Sequence, residues 1–348
     1  MRLFKRSRTY KNLLHPRAPG SVEQILELKD IRSRQYFKPL NGNTVPVLSA
    51  VNLSIRSGEI WALASRLYLT SSLLLSVIGN TVSYDSGEAK ITGENMPRHK
   101  RRMLRDVFYI GTTDMVYGDM NVLEFLSFAT QHADRLSHLN GPQSQKAILD
   151  FLVEADLGYI SLSQISYLSE EERVLILMIC AYYSNNSFIV LNSGDLKLEA
   201  GLVDSFAYIV NAYKESQQAF IFPALNNDRM MDCATHIAVL SHGVTVYQGT
   251  VEQLKMEYDE LSFTLQARHP KFAASVLVNL LPDYTVQLLG DKILLSHKHS
   301  KAAPDDMEIQ YLYAQIREAE LWIEQVQVNK KTVSNAVKEA LHVHDLSL

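Results

Sequence analysis

The chain has 348 residues, which is long for one small core and predicts two domains. With 47% apolar and 21% charged residues, 15 glycines and 10 prolines, the composition excludes a fibrous or disordered protein. The formal net charge of −4 is small for this length, so no overall field favours nucleic acid as a partner.

The first 22 residues form a basic arm. They hold six arginines and lysines, and the first acid of the chain is Glu23. Such an arm can contact an anionic lipid surface or an acidic partner, and the alternative is a solvated segment without a fixed structure. No apolar segment follows at once, so we do not expect a secretory signal. The basic residues are Arg2, Lys5, Arg6, Arg8, Lys11 and Arg17.

From residue 26 onwards, runs with the apolar spacing of strands alternate with runs spaced like helices. Strands are expected at 26–31, 45–55, 60–64, 188–192 and 219–225, with two more within 237–249. Helices are expected at 71–78, 122–134, 144–156, 170–183 and 199–215, with a breaker at Asn140, Gly141 and Pro142. This alternation predicts a mostly parallel sheet flanked by helices, with a helical subdomain at about 115–185.

After Glu252 the order changes to strand, helix, strand, strand, helix, strand and a last helix. The βαββαβ part resembles the ferredoxin-like split unit, and we assign it to an accessory domain. The predicted domains are thus the arm at 1–22, a main domain at 23–255 and a C-terminal α+β domain at 256–348. Two histidine pairs, at 297 and 299 and at 342 and 344, lack a third ligand at recognisable spacing, so no metal site is predicted.

The segment Gly58–Ala64 carries a resemblance to a known family. Together with VLSAVNLSI at 47–55 and SGEAKITGENM at 86–96, it is similar to the beginning of an ATP-binding cassette (ABC) ATPase domain. The resemblance covers about residues 23–255. It implies an α/β fold of the ABC nucleotide-binding type, in which a P-loop NTPase-like mixed sheet carries a helical subdomain, here followed by the βαββαβ domain.

The family's phosphate loop, G-x-x-x-x-G-K-[ST], falls on residues 65–72. Ser65 and Thr70 stand at the glycine positions, Ser71 at the lysine, and Ser72 at the hydroxyl that binds magnesium. Glycine is needed because the backbone of this loop adopts conformations that other residues avoid, and a threonine with positive φ would be an outlier. Without the lysine, no charge in the loop neutralises the terminal phosphates. The resemblance therefore implies a degenerate phosphate site.

The family's signature, Leu-Ser-Gly-Gly followed by Gln or Glu, falls on residues 168–172. These residues are Leu168, Ser169, Glu170, Glu171 and Glu172, so only the leucine and the serine are kept before the last position. In the family this segment opens a helix whose N-terminus faces a nucleotide held by the partner subunit. Because Ser169 and Glu172 form a capping-box pattern, we expect the chain's own acids to occupy that positive end.

The family's Walker B strand matches FIVL at 188–191, and Asn192, where this strand ends, lies 24 residues after Leu168 at the start of the signature. It is followed by Asn192 and Ser193, where the family has an aspartate that helps to hold magnesium and a glutamate that polarises water. Neither residue is an acid. The resemblance therefore implies that both catalytic carboxylates are missing.

Three further positions of the family are less specific. The Q-loop glutamine falls on Thr112 and the switch histidine on Leu225. Tyr36 or Phe37 stands near the position where an aromatic side chain of the family stacks on adenine. The alternative is that both aromatic side chains are structural residues of the core or of an edge strand.

These substitutions imply a subunit that keeps the family's shape. We predict no enzyme activity (a pseudo-ATPase), no catalytic residue, and weak or absent binding of ATP and Mg²⁺. The implied partners are a second ABC ATPase subunit and membrane permease subunits, and residues 1–22 are expected to contact anionic lipid. The expected location is cytoplasmic, peripheral to the inner face of the cell membrane. Two alternatives stay open, namely a soluble regulatory or scaffold protein with this fold and an ATPase that uses non-standard residues.

Overall fold

The computed structural model covers the main domain and the C-terminal region with some internal gaps. The described residues are 23–37, 45–96, 106–111, 118–184, 186–193, 198–224, 228–258, 262–297, 306–319, 321–329 and 332–346. The basic arm at 1–22 and two of the predicted site positions, Thr112 and Leu225, lie outside these ranges.

Strands dominate the first third of the main domain, and helices dominate the middle. In chain order the elements begin with β1 (Gln24–Ser33), β2 (Tyr36–Phe37), β3 (Val45–Pro46), β4 (Val51–Arg56), β5 (Ile60–Ser65), α1 (Tyr68–Ile78), β6 (Tyr84–Ile91), β7 (Glu94–Asn95) and β8 (Val107–Ile110). They continue with α2 (Val122–Ala129), α3 (Gly141–Glu154), α4 (Glu170–Tyr183), β9 (Phe188–Leu191), α5 (Ala200–Glu215), β10 (Ala219–Pro223), α6 (Asp228–Met231), β11 (His236–Ser241), β12 (Val244–Thr250) and α7 (Val251–Tyr258).

A six-stranded sheet in the order β12-β11-β5-β10-β9-β8 forms the centre of the main domain. Its neighbouring strands are parallel except for β12, which runs antiparallel to β11. The inner strands are covered on both faces, which explains why they are nearly continuous apolar runs. The mostly parallel sheet predicted from the sequence is confirmed. A second sheet, β4-β1-β6-β7, is antiparallel, and β2 pairs with β3 in a short hairpin.

The central sheet separates two apolar cores. Trp61 and Leu63 of β5 pack with α1 and the antiparallel sheet, whereas Ile60, Ala62 and Ala64 pack with the helices on the other face. This division follows from the two-residue period of a strand, which sends alternate side chains to opposite faces. Helix α1 is therefore held between two sheets, and its N-terminus lies at the carboxyl end of β5.

Two helices of the subdomain differ in their limits from the sequence pattern. Helix α3 begins at Gly141 and not at residue 144, with Asn140 as its N-cap and Pro142 in its first turn. The predicted breaker at 140–142 therefore forms the start of the helix. The side-chain oxygen of Asn140 accepts the Gln143 N–H at 3.0 Å, and a proline fits the first turn because its missing N–H is not needed there. Helix α2 ends at Ala129, and a 3₁₀ turn follows at Asp134–Leu136.

A four-stranded antiparallel sheet follows the main domain. The elements are β13 (Ser262–Ala267), α8 (Pro270–Leu280), β14 (Tyr284–Leu289), β15 (Lys292–His297), α9 (Asp306–Glu318) and β16 (Ile323–Val328), and the chain continues into α10 (Val333–Leu346). The strand order is β14-β15-β13-β16, and the side chains of α8 and α9 complete a separate apolar core. Within the described ranges, none of the helices is long and apolar enough to cross a membrane.

Helix α10 follows this sheet in the chain but packs elsewhere. It contacts α7, β11, α6 and β12 of the main domain. Its residues Val333, Ala336 and Ala340 are fully buried and belong to the core on the helical face of the central sheet. The end of the chain thus stabilises the main domain rather than the C-terminal sheet.

We expect Ala340→Asp to destabilise the main domain by about 3 kcal/mol, because it buries an unpaired charge among apolar side chains. Urea denaturation followed by the fluorescence of Trp61, which is buried in the main domain, measures the change in a Trp322→Phe background. The matched control is Lys338→Asp on the exposed side of the same helix, with a cost below about 0.5 kcal/mol. Equal effects of the two variants would contradict the packing of α10.

Candidate functional site

The phosphate-loop positions lie mainly in a helix. Strand β5 ends at Ser65 and α1 begins at Tyr68, so only Arg66 and Leu67 connect them. This differs from the sequence expectation of a helix that starts at Ser71. With no glycine between 65 and 72, nothing in this segment opposes helical backbone angles, and Thr70 is not among the residues with positive φ. The extended loop that would wrap a phosphate is replaced by a helical turn.

Two serine hydroxyls of this segment donate to nearby backbone carbonyls. Ser65 Oγ donates to the carbonyl of Leu67 at 2.8 Å, and Ser71 Oγ donates to the carbonyl of Tyr68 at 2.9 Å. The Thr70 N–H also donates to the Leu67 carbonyl, at 2.9 Å. Thr70 and Ser71 are 6% and 4% exposed, so these two positions face the protein and not the solvent.

Asn192, at the Walker B position, is held by a polar network between α1, β8 and β9. Its Nδ2, which has two hydrogens to donate, has three acceptors within reach, namely the Ser72 carbonyl at 3.1 Å, Ser76 Oγ at 3.0 Å and the hydroxyl of Tyr109 at 3.0 Å. On its other side, the hydroxyl of Tyr68 donates to Asn192 Oδ1 at 3.5 Å. The structure therefore brings together Asn192 and Ser72, two residues that the sequence had singled out. Asn192 is 7% exposed, so its amide group is largely committed to protein partners.

Tyr109 was missed by sequence reasoning, and two glycines determine its place. An ideal Cβ on Gly79 would lie 2.2 Å from Tyr109 Cδ2, and one on Gly111 would lie 2.2 Å from Tyr109 Cε1. The ring thus lies directly against the backbone of both glycines. Each glycine follows the end of a helix or strand, where the sequence predicts an ordinary turn, so the sequence carries no signal for this contact.

The signature segment begins α4 as the capping-box pattern predicts. Ser169 Oγ accepts the Glu172 N–H at 3.1 Å, and a carboxylate oxygen of Glu172 accepts the Ser169 N–H at 2.8 Å. Glu170 and Glu171 lie in the same first turn, and Leu168 is buried beneath it. Three carboxylates therefore stand at the positive end of the helix.

The surface beside this helix start is strongly acidic. A cavity of about 400 Å³ next to Ser169 is lined by Asp156, Glu171, Glu172 and Glu199. The hydroxyl of Tyr159 donates to Glu172 at 2.8 Å, and burial together with this bond to an anion raises the pKa of Tyr159 to about 12. Phosphate groups would meet negative charge on this side of the signature.

The other predicted positions are dispersed. Ser193 follows Asn192 directly and is partly buried. Tyr36 is 61% exposed on the β2–β3 hairpin, opposite Pro46, and the side chain of Phe37 lies outside what the structure describes. Within the described residues, none of the hydrogen bonds of the Asn192 network involves Tyr36.

The groups assembled at the N-terminus of α1 do not fit a magnesium-bound triphosphate as the family holds it. The network consists of an amide group and hydroxyl groups, which are uncharged. A magnesium-bound triphosphate is held by a carboxylate, a lysine and a row of backbone N–H groups. Because residues 68–72 are helical, the backbone N–H groups of the loop are also rearranged.

We expect Gly79→Ala to destabilise the protein by about 2 kcal/mol, because the new methyl group collides with the ring of Tyr109. The backbone of Gly79, with φ of −70°, tolerates alanine, so the cost is steric. In a Tyr109→Ala background the same change should cost less than about 0.5 kcal/mol, as a denaturation double-mutant cycle would show. Gly201→Ala, with open space around it, is the control. If Gly79→Ala destabilises the protein equally with and without the ring of Tyr109, the proposed contact is contradicted.

Comparison with known proteins connects this geometry to a family. No family model matches the chain. The autoinducer 2 import ATP-binding protein LsrA of Enterobacter sp. (strain 638) is 20% identical over 225 residues, which cover 64% of this chain and 43% of the relative. The spermidine/putrescine import ATP-binding protein PotA of Fusobacterium nucleatum is 24% identical over 229 residues, which cover 65% and 58%.

A probable ABC transporter ATP-binding/permease protein of Haemophilus influenzae is 27% identical over 184 residues, which cover 51% of this chain and 33% of the relative. The chain thus spans less than two thirds of the length of each of these curated relatives.

The names of the relatives overturn one prediction. The expectation that the chain is no enzyme is wrong, because its relatives are ATP-binding proteins of import systems, and the similarity groups it with ATPases. The substitutions at 65–72, 192 and 193 are differences within that group.

Two solved structures show the same fold. The ATP-binding subunit of an ABC transporter has a TM-score of 0.53 at 17% identity, covering 66% of this chain and 92% of that structure. CbiO1 from Clostridium perfringens, part of the ABC transporter complex CbiONQ, has a TM-score of 0.53 at 13% identity, covering 75% and 96%. The chain therefore has the fold of an ABC ATPase nucleotide-binding domain and is similar in sequence to the ATP-binding proteins of ABC transporters.

Proposed function

We propose that the chain is an ATP-binding subunit of an ABC transporter whose own nucleotide site has diverged, and that it works in a pair with a second ATP-binding subunit. Transport is favoured by the names of the relatives, which are import ATP-binding proteins or a combined ATP-binding/permease protein. In the pair, this chain supplies an ABC-type domain and the helix start at Ser169.

The start of α1 at Tyr68 is the observation that carries this proposal. It supports a diverged site because residues 68–72 are helical and the hydroxyls of Ser65 and Ser71 donate to nearby backbone carbonyls. At the same time the central sheet has six strands, and its inner strands β5, β9, β10 and β11 are almost entirely buried. Pairing with another cassette depends on the shape of the contacting surfaces. Such pairing therefore requires that the fold is kept, even where this one loop has changed. We accordingly propose that this chain binds ATP and Mg²⁺ weakly.

The signature segment is the part of this chain that we propose to face the nucleotide of the second subunit. Its three glutamates stand in the first turn of α4, where they lower the attraction of the helix end for phosphate. Turnover at such a shared site would be slow because like charges repel across a partly dry interface. This chain would then lower the ATP turnover of the pair in addition to forming part of it.

We further propose that the complex sits at the inner face of the membrane through permease subunits. The basic arm at 1–22 would add attraction to anionic lipid, on the order of 1 kcal/mol for each lysine or arginine near the surface. Such attraction weakens with salt, since the screening length is about 8 Å at physiological ionic strength.

Affinity purification of the tagged full chain from native membranes in mild detergent tests the proposed function. We expect it to bring down an ABC permease and an ATP-binding subunit with standard motifs, in an assembly that hydrolyses ATP. An assembly without a permease, or one without ATP hydrolysis, would contradict the proposal.

In the captured assembly, Glu170→Gly combined with Glu171→Gly should raise ATP turnover about fivefold, because two partly screened negative charges leave the phosphate-facing helix end. The Ser169–Glu172 cap is left in place, so α4 should still begin at the same residue. The matched control is Glu252→Gly in the first turn of α7, which should leave turnover unchanged. A double variant that folds, assembles and shows no gain would disprove the proposed placement of the signature.

A further inference from the structure

Strand β14 forms one open edge of the C-terminal sheet. In the part of the chain that the structure describes, it pairs with β15 and with no other strand. The N–H of Tyr284 donates outside the sheet, to the Leu281 carbonyl at 3.1 Å. Because backbone groups alternate in direction along a strand, the N–H and C=O groups of Val286 and Leu288 also point away from β15. They form a row with which another strand can pair.

The two edges of this sheet differ in how they are protected. Edge strands of natural proteins are commonly shielded from pairing by a charged residue, a proline or a bulge. Strand β16, at the opposite edge, contains the charged Glu324, and its register with β13 shifts between Gln266 and Ala267. Strand β14, with the sequence YTVQLL, has no charged residue and no proline, and its register with β15 is regular throughout. The edge at β14 is therefore the one that favours pairing.

Two consecutive leucines are exposed on β14. The side chains of Leu288 and Leu289 are 42% and 57% exposed. Leu288 lies opposite Ile293, whose side chain is buried in the core beneath α8 and α9. Because successive side chains of a strand point to opposite faces, Leu289 lies on the face that is turned away from this core. A strand added to β14 would cover both leucines, and apolar burial therefore favours its addition.

We infer that β14 pairs antiparallel with β14 of a second copy of this chain, so that two four-stranded sheets join into one. Residues that lie opposite each other in an antiparallel pair share a face of the sheet. The register that uses both outward-pointing residues places Val286 opposite Leu288 of the second copy. Gln287 then lies opposite Gln287 of that copy, on the two-fold axis. In the same register Leu289 is covered by Thr285 of the second copy.

A second copy is the partner that fits an uncharged edge. A strand without charge gives an acidic or basic partner no complementary charge, whereas pairing with its own copy brings no like charges together within β14. The two-fold axis closes the assembly at a dimer. At about 3.4 Å per residue the paired stretch is roughly 20 Å long, and together with the helix layer it buries roughly 500 Å² per copy, which is typical of weak interfaces.

We therefore expect a weak dimer, with a dissociation constant on the order of 10 µM. The inference goes beyond the proposed function and does not rest on it, since the contact contains none of the residues at 65–72, 168–172 or 192.

Substitution of Gln287 tests the inference, because this side chain is exposed and can be changed without touching the core. Sedimentation velocity of the full chain, from about 1 to 200 µM, should show a monomer–dimer equilibrium. Gln287→Lys and Gln287→Glu, each alone, should weaken the dimer about fivefold, since like charges then meet at the two-fold axis. An equimolar mixture of the two variants should restore the dimer, because the lysine of one copy lies opposite the glutamate of the other.

Gln325→Lys is the matched control, because Gln325 is an exposed glutamine of β16 at the opposite edge of the sheet. It should leave the equilibrium unchanged. Leu288→Asp, which places a charge against apolar residues of the second copy, should leave the chain monomeric over the same range. The inference is overturned by any of three results, namely a chain that stays monomeric at about 200 µM, a mixture of the charge variants that associates no better than either alone, or equal weakening by Gln325→Lys.

Discussion

The hydrogen bonds of one side chain, Asn192, connect the three elements around which the candidate site is built. Its amide reaches α1 through Ser72 and Ser76 and reaches β8 through Tyr109, while its own backbone N–H donates to the Ile110 carbonyl at 2.7 Å. An aspartate at this position would accept hydrogen bonds but could donate none from its side chain. The asparagine side chain therefore donates hydrogen bonds at the end of the sheet, at the position where the family resemblance implies a metal-binding aspartate.

The position of α1 follows from the same network and from the lack of glycine in residues 65–72. Once Tyr68 is helical, its hydroxyl points towards Asn192, and the exposed side chains of Leu67 and Leu69 are presented beside the β11–β12 turn. The start of the helix at Tyr68 thus accounts for the altered phosphate-loop segment. The inner strands of the surrounding sheet pack against α1 on one face and against the subdomain helices on the other.

Sequence patterns were sufficient for the main features of the fold and for part of the site. Continuous apolar runs such as FIVL identified central strands, and the Ser169–Glu172 spacing identified the start of α4, because both signals are local. The contact of Tyr109 with Gly79 could not be predicted, since the two residues are about 30 positions apart, and both Gly79 and Gly111 look like ordinary turn glycines. The packing of α10 on the main domain was missed because the spacing of apolar residues along a helix does not indicate which surface those residues contact.

Amide hydrogen exchange at residues 66–72 tests the central claim most directly, when it is measured with and without Mg-ATP. If the phosphate-loop positions form the first turns of α1, the amides of Ser71 and Ser72 should exchange as slowly as that of Leu74, and Mg-ATP should change little. Fast exchange at Ser71 and Ser72 that becomes slow on addition of Mg-ATP would contradict the account, because it would mean that an open loop closes around the nucleotide.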